Sequence, residues 1–281
     1  MNHNRLLTKM SILAFFMLLL VMGAALQPTP TATSTTKAPE EIKEWDYVVF
    51  GDSSTWGFPT YYASYMEKDL GVKVTIYNKT IDTQSVFDIL RVLRKDESLR
   101  KLVSEAEVVT LIGSPNLSQG DTVESLEKYI EWNEQPSWYK DCGMRGGSYR
   151  SPGDCSPETF ESYIENIKGI IEEILSLRNG MPTIIRAMDY YMPMYSEWKN
   201  HGIEKECTCC WENFNNAIHQ AAAAYNVPVA RVYDAFNGPN HDEDPREKGY
   251  IGPDGEHTNE TGQKVIADLM QKLGYKPVTP E

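Results

Sequence analysis

Five short apolar runs, separated by segments with helical periodicity, constrain the fold more than any other feature of this sequence. In the segment Thr159–Leu177, for example, apolar side chains recur with the 3.6-residue period of a helix. Consecutive parallel strands need crossover connections of this kind, which are nearly always right-handed. The pattern therefore predicts an α/β fold, a three-layer αβα sandwich around a five-stranded parallel sheet. The predicted strands are Tyr47–Phe50, Val72–Asn78, Glu107–Gly113, Thr183–Asp189 and Val227–Tyr233.

The N-terminal residues 1–26 have the layout of an export signal. Arg5 and Lys9 precede an uncharged apolar run that ends in small residues. The run is near the short limit for a bilayer span, so a cleaved signal peptide and an uncleaved N-terminal anchor both remain open. In either case we expect a secreted or extracytoplasmic protein, in contact with a membrane only through an uncleaved N-terminal segment.

Composition divides the rest of the chain into three parts. Residues 27–43 are rich in Thr and Pro and predict a flexible linker. Residues 44–276 are long enough for one α/β domain with a full core. Within them, residues 117–157 form a long irregular stretch with several Trp and Tyr residues, which we interpret as an inserted cap or lid.

The charge of the chain excludes one class of partner. Acidic residues outnumber basic residues by 40 to 27, which gives a formal net charge of -13. Such a surface repels the phosphate backbone of nucleic acids, so we expect no nucleic-acid partner.

Five cysteines fit an oxidising compartment. Cys142 and Cys155 flank a Gly-rich loop, and we predict a disulfide bond between them. Because the number of cysteines is odd, at least one thiol has no intramolecular partner. A metal site formed by His201 with the cluster of cysteines remains an alternative, but the CxCC spacing lacks the CxxC pairing of zinc sites. We therefore expect no metal ion and no organic cofactor. The clustered cysteines are Cys207, Cys209 and Cys210.

Two short segments at opposite ends of the domain carry residues suited to nucleophilic catalysis. In YVVFGDSSTWG, Ser53 follows a predicted buried strand, where a hydroxyl is surrounded by backbone amides. Its neighbour Asp52 is expected to hold this turn through backbone amides. In GPDGEH, Asp254 and His257 are three residues apart, so the carboxylate can accept the hydrogen of Nδ1 and leave Nε2 facing a nucleophile.

Together these segments resemble the GDSL/SGNH hydrolases, a family of esterases, lipases and thioesterases with a flavodoxin-like fold. The resemblance implies Ser53 as nucleophile, His257 as base and Asp254 as the residue that orients it. It also implies an oxyanion hole formed by the amide of Ser53, an amide at Thr83 and the side chain of Asn116. The family has glycine where this chain has Thr83, and its Gly-x-Asn-Asp block reads GSPN here. Asp82 and Gln84 are alternatives to Thr83.

The resemblance implies an extracellular serine hydrolase that cleaves carboxylic esters through an acyl-enzyme on Ser53. Acyl lipids or small acyl esters are one expected substrate class, and O-acetyl groups on polysaccharides are the other. The alternative is a non-catalytic carbohydrate-binding or cell-surface interaction protein on the same scaffold. An α/β hydrolase is excluded because the sequence has no GxSxG motif.

Overall fold

The computed structural model describes residues 42–82, 84–112, 157–202 and 204–278. They belong to one compact unit, Ile42–Glu281. The predicted export segment, nearly all of the linker and the cap except for its last residue lie outside the described residues. So do Thr83, Asn116 and the predicted disulfide of Cys142 and Cys155.

The sheet has five parallel strands in the order β2-β1-β3-β4-β5, which confirms the predicted α/β architecture. Every residue of β3 and β4 is buried, as expected for strands covered on both faces. The strands are β1 (Glu44–Phe50), β2 (Lys73–Asn78), β3 (Val108–Ile112), β4 (Ile184–Met188) and β5 (Val229–Ala230).

Eight helices are found in the described residues. They are α1 (Phe58–Leu70), α2 (Val86–Lys95), α3 (Glu97–Glu105), α4 (Pro157–Arg178), α5 (Tyr195–His201), α6 (Glu204–Ala223), α7 (Val232–Asn237) and α8 (Glu260–Lys272). The predicted helix Thr159–Leu177 is confirmed as part of α4. The buried members of its apolar stripe are Tyr163, Ile167, Ile170, Ile171 and Ile174.

The strand order determines which face of the sheet each helix covers. The connection from β1 to β2 runs toward one edge of the sheet, whereas those from β2 to β3, β3 to β4 and β4 to β5 run toward the other. Right-handed crossovers then place α1 on one face and α2 to α6 on the opposite face. The packing agrees, because α1 contacts α8 while α4 contacts α2, α3 and α6. All five strands direct their C-terminal ends to the same edge, where ligands bind in such sheets.

The last strand is much shorter than predicted. The apolar run Val227–Tyr233 was expected to be a strand throughout, but only Val229 and Ala230 pair with β4, and α7 begins at Val232. The reason is the buried carboxylate of Asp189, which accepts a hydrogen bond of 2.8 Å from the amide of Tyr233. This acceptor satisfies an amide in the first turn of a helix, so the chain turns away from the sheet.

Three observations concern the predicted cysteine and membrane features. Cys207 and Cys210 are buried, and each of them takes part in a disulfide bond, whereas Cys209 is exposed and free. No group of three or more His, Cys, Asp or Glu side chains in the described ranges is arranged to hold a metal ion. Among the helices of those same ranges, none has the length and apolar character that crossing a bilayer requires.

Candidate active site

Ser53 lies where the chain leaves strand β1 and turns toward α1. It begins a short 3-10 helix, Ser53–Thr55, and its side chain is largely buried. The turn depends on Gly51, which has a φ of 153°. A Cβ atom at Gly51 would lie 2.2 Å from Cγ2 of Ile112 and 2.6 Å from Cγ2 of Thr55, so only glycine allows this close approach.

The buried carboxylate of Asp52 holds the turn together. Its Oδ1 accepts hydrogen bonds from the amide of Ser54, at 3.0 Å, and from the Ser54 hydroxyl. Its Oδ2 accepts a hydrogen bond from the hydroxyl of Tyr190. Tyr190 follows β4 and is fixed in turn by Asn215, whose side chain bonds both its amide and its carbonyl. As expected, Asp52 holds the turn, through one backbone amide and two hydroxyl groups.

Asp254 and His257 lie in a tight loop that leads into α8. The loop is closed by a hydrogen bond of 2.7 Å from the amide of Gly252 to the carbonyl of His257. Asn259 ends the loop and caps α8, because its Oδ1 accepts from the amides of Thr261 and Gly262. The loop is thus anchored to a helix at the C-terminal edge of the sheet.

A continuous chain of hydrogen bonds joins the two segments. Oδ2 of Asp254 lies 2.8 Å from Nδ1 of His257, and Nε2 of His257 lies 2.9 Å from Oγ of Ser53. Because a carboxylate only accepts, the imidazole hydrogen is on Nδ1, and Nε2 is free to accept the hydroxyl hydrogen of Ser53. The three residues predicted from the sequence therefore meet at the sheet edge, although Ser53 and His257 are 204 positions apart in the chain.

The second oxygen of Asp254 fixes its own loop. Oδ1 accepts hydrogen bonds of 3.0 Å from the amides of Glu256 and His257. Burial raises the pKa of Asp254, but these amide bonds and the bond from the His257 ring outweigh it, and the pKa is lowered overall. Asp254 is therefore an ionised partner for His257 at neutral pH.

Two further side chains surround the imidazole. The indole of Trp56 stacks on the ring of His257 with centroids 5.1 Å apart and an angle of 12° between the planes. Glu256 is partly buried, and this burial, together with the charges of Asp254, Asp82 and Asp52, raises its pKa against the opposing effect of His257. The site is thus rich in acidic groups, and one of its faces is aromatic.

The predicted oxyanion donors are only partly described. In the described part of the chain, no residue accepts a hydrogen bond from the amide of Ser53, so this amide can point to an oxyanion. Thr83 and Asn116 lie outside the described residues, and their predicted roles stay predictions. Of the two alternatives to Thr83, Asp82 is exposed and Gln84 is buried. The amide of Gln84 already donates to the carbonyl of Ile81 at 3.0 Å, so Gln84 is wrong as an alternative donor to the oxyanion.

The sequence interpretation missed Trp56 and Tyr190 as parts of this site. Trp56 was visible in the sequence as an aromatic residue three positions after Ser53. The structure leaves it 46% exposed. Tyr190 follows the fourth strand at the sheet edge where ligands bind, which also marked it. Its partner, Asp52, could not be chosen from the sequence because the bond depends on side-chain conformations 138 residues apart.

Comparison with known proteins relates the fold to a set of solved structures. No protein-family model matches the sequence, and no curated protein matches it significantly. A lipase from a goat rumen metagenome is 23% identical, with a TM-score of 0.59, over 83% of this chain and 98% of its own. An acetyl-xylooligosaccharide esterase from Geobacillus stearothermophilus is 14% identical, with a TM-score of 0.55, over 86% of this chain and 99% of its own.

A third structure, described as a GDSL-like lipase from Parabacteroides merdae, is 14% identical, with a TM-score of 0.52, over 84% of this chain and 99% of its own. Each of the three matches nearly its entire length, so the likeness concerns the whole domain and not a shared fragment. The described domain has the fold of the GDSL/SGNH esterases.

Proposed function

We propose that this protein is an extracellular serine esterase that hydrolyses carboxylic esters through an acyl-enzyme on Ser53. The observation that carries the proposal is the hydrogen-bonded chain from Asp254 through His257 to Ser53. Its order and its distances are those required for a hydroxyl nucleophile with an oriented general base.

In the first half of the reaction, His257 Nε2 removes the hydroxyl proton while Ser53 Oγ attacks the ester carbonyl carbon. Asp254 stabilises the imidazolium that forms and keeps it oriented. The tetrahedral intermediate collapses, the C–O bond to the alcohol breaks, and His257 gives its proton to the departing alkoxide. An acyl group is then bound to Ser53.

In the second half, a water molecule loses a proton to His257 Nε2 and attacks the acyl carbon. Collapse of this intermediate releases the carboxylic acid, and His257 returns the proton to Ser53 Oγ. In both halves the amide of Ser53 stabilises the negative oxygen, with Thr83 and Asn116 as further proposed donors. One such donor is worth on the order of 3 kcal/mol of the barrier.

Two substrate classes are consistent with the site, namely lipid or small acyl esters and O-acetyl groups on polysaccharides. The names of the structural relatives include both a lipase and an acetyl-xylooligosaccharide esterase. The exposed indole of Trp56 beside His257 suits either class, because an aromatic ring packs on acyl chains and on the apolar faces of sugars.

We also propose that the protein acts outside the cytoplasm. The N-terminal sequence supports export, and the disulfide-bonded state of Cys207 and Cys210 is consistent with an oxidising compartment. Expression of the full chain followed by fractionation and by mass measurement of the N-terminus would distinguish a cleaved signal from a retained anchor.

The test of the activity is covalent labelling combined with turnover. A fluorophosphonate should modify the protein once, on Ser53, and p-nitrophenyl acetate, p-nitrophenyl palmitate and acetylated xylan report the substrate class. Ser53→Ala should lose labelling and lower kcat by about a thousandfold or more. Ser54→Ala is the matched control, because it removes the neighbouring hydroxyl and should still be labelled.

The outcomes separate the two functional classes. Turnover that is unchanged in Ser53→Ala would end the proposed mechanism. Folded protein that neither takes the label nor cleaves any ester, but binds xylan, would favour the non-catalytic carbohydrate-binding alternative.

A further inference from the structure

The indole of Trp56 covers one face of the His257 imidazole. The two ring centroids are 5.1 Å apart and the ring planes differ by 12°, so the rings form a nearly parallel stack. Trp56 is about half exposed, and its burial therefore adds little to the hydrophobic core. The contact with the imidazole thus concerns the candidate active site more than the stability of the fold.

The backbone next to Trp56 is packed against the segment that carries the imidazole. Gly57 lies so close to α8 that a Cβ atom there would be 2.1 Å from Oε1 of Gln263. Gln263 in turn donates from Nε2 to the carbonyl of Thr258 at 3.1 Å. Thr258 directly follows His257 in the chain. The indole and the imidazole are therefore carried by segments that contact the same side chain.

The hydrogen bond that orients His257 is open to water. The side chain of Asp254, which accepts this bond from Nδ1, is 52% exposed. In the general Ser-His-Asp arrangement the carboxylate is buried. Water competes for an exposed carboxylate and screens its charge, so this bond restrains the imidazole less firmly than a buried one. A contact on the ring face adds a restraint that the carboxylate alone does not supply.

The stack becomes stronger when the imidazole gains a proton. The face of an indole carries partial negative charge and attracts a cation that lies within about 6 Å of the ring centroid. In the proposed reaction, Nε2 of His257 takes the proton of Ser53, and the imidazole then carries a positive charge. The neutral imidazole of the resting protein gains less from the same face. An interaction that strengthens as charge develops lowers the barrier of the reaction.

We propose that Trp56 is a positioning residue that acts through His257, by restraining the imidazole and by stabilising its positively charged form. The inference rests on the proposed esterase function, because it is in that reaction that the imidazole accepts a proton from Ser53. It concerns the indole face that covers His257 and not the exposed part of the ring, on which a substrate packs. The attraction of an indole for a cation corresponds to about a three- to thirtyfold change in rate.

The test compares three side chains at position 56, with the p-nitrophenyl and ethyl esters of the acid that the parent protein cleaves best. Trp56→Leu removes the aromatic face and should lower kcat by about three- to thirtyfold on both esters, with KM changed by less than about twofold. Both esters should respond because acylation and deacylation each use His257. Trp56→Phe keeps an aromatic face and should return kcat to within about threefold of the parent. Measurement of Tm checks that each variant is folded.

Phe87→Leu is the matched control. Its ring is exposed to a similar extent, at 42%, but belongs to the first turn of α2. The kcat of this variant should stay within about twofold of the parent on both esters.

A double-mutant cycle shows whether Trp56 acts through His257. In the His257→Ala background, Trp56→Leu should change the residual kcat on the p-nitrophenyl ester by less than about twofold, because the imidazole on which Trp56 acts is gone. A general disturbance of the Ser53 turn would instead lower the residual kcat as much as it lowers that of the parent.

Four results would overturn the inference. They are an unchanged kcat in Trp56→Leu, a loss confined to one of the two esters, no recovery in Trp56→Phe, and a loss that is equal with and without His257. If turnover depends on Ser53 and His257 but not on Trp56, the proposed function stands and this inference alone fails. If turnover does not depend on Ser53, the proposed function fails, and the inference fails with it.

Discussion

The carboxylate of Asp52 connects the nucleophile turn to the rest of the molecule. One of its oxygens holds the amide and hydroxyl of Ser54, and the other accepts the hydroxyl of Tyr190. Tyr190 is itself fixed by Trp211 and Asn215, whose side chains bond its carbonyl at 3.0 Å. A change at Tyr190 should therefore reach Ser53 without touching the reacting atoms.

Tyr190→Phe tests this connection. The variant removes one hydrogen bond from a buried carboxylate, so the free energy of unfolding should fall by about 1–3 kcal/mol. Because the turn loses a support, kcat should fall by about tenfold while KM changes little. Urea unfolding and steady-state kinetics on a p-nitrophenyl ester measure the two effects.

Tyr191→Phe is the matched control at the next position. The hydroxyl of Tyr191 donates to the main-chain carbonyl of Glu256 at 3.1 Å, an uncharged acceptor. We expect a smaller loss of stability, about 0.5–1.5 kcal/mol. Equal effects of the two substitutions on kcat would contradict a specific role for the bond between Tyr190 and Asp52.

These residues show how far sequence reasoning reaches at this scale. Ser53, Asp254 and His257 could be predicted because each lies in a short segment with a recognisable local pattern. The stack of Trp56 on His257 and the bond from Tyr190 to Asp52 could not be predicted, since both join segments that only the folded chain brings together. Periodicity carries no information on such contacts.

At the scale of elements, an ion cluster ties α5 to the loop that follows α7. The guanidinium of Arg246 bonds both carboxylate oxygens of Glu197, in α5, at 2.5 Å. It also bonds the buried carboxylate of Asp244, which accepts the amide of Ser196 at 3.3 Å. This cluster holds a short helix that lacks a side-chain N-cap.

The cluster predicts a loss of stability in acid. The bond from Arg246 lowers the pKa of Glu197, and at Asp244 the bonds from Arg246 and Ser196 outweigh burial and lower the pKa as well. Groups with lowered folded-state pKa values stabilise the protein above the unfolded-state pKa of about 4. That contribution is lost as the pH falls through the folded-state values.

Arg246→Met should therefore cost about 2 kcal/mol in the free energy of unfolding at pH 7 and clearly less at about pH 3. Arg231→Met is the control, because Arg231 forms an exposed pair with Asp234 at 3.4 Å and should change stability by less than about 0.5 kcal/mol. Urea unfolding at both pH values checks the prediction, and an equal cost at both would contradict it.

The elements themselves were largely predictable. The runs for β3 and β4 were assigned within one residue at each described end, because strands buried on both faces are continuous apolar runs. The run for β2, an edge strand whose side chains are exposed or only partly buried, was also assigned within one residue. β5 was not, because the apolar residues Val232 and Tyr233 suit a buried helix as well as a strand. The contact that decides between the two, from Asp189 to the amide of Tyr233, is tertiary.

At the scale of the whole molecule, the strand order explains why residues from both ends of the domain meet. β1 is the second strand from one edge, and Ser53 follows its C-terminal end. The loop with Asp254 and His257 leads into α8, which packs on α1, the helix that directly follows the Ser53 turn. The packing of α8 on α1 thus brings the first and last segments of the domain together at the candidate active site.

The net charge of -13 gives a prediction for the whole molecule. The acidic side chains Asp52, Asp82 and Glu256 near His257 add to this field at the site. At low ionic strength, this negative field should oppose the approach of an anionic ester. Added salt should weaken the repulsion, because it shortens the Debye length from about 30 Å at 0.01 M to about 4 Å at 0.5 M.

From about 0.01 to about 0.5 M NaCl, we expect kcat/KM for the monoanionic 4-nitrophenyl succinate to rise about three- to tenfold. The neutral 4-nitrophenyl acetate should change by less than twofold, and Glu256→Gln should reduce the rise for the anion. A parallel response of both esters would mean that salt acts on the protein itself and that the field does not select substrates.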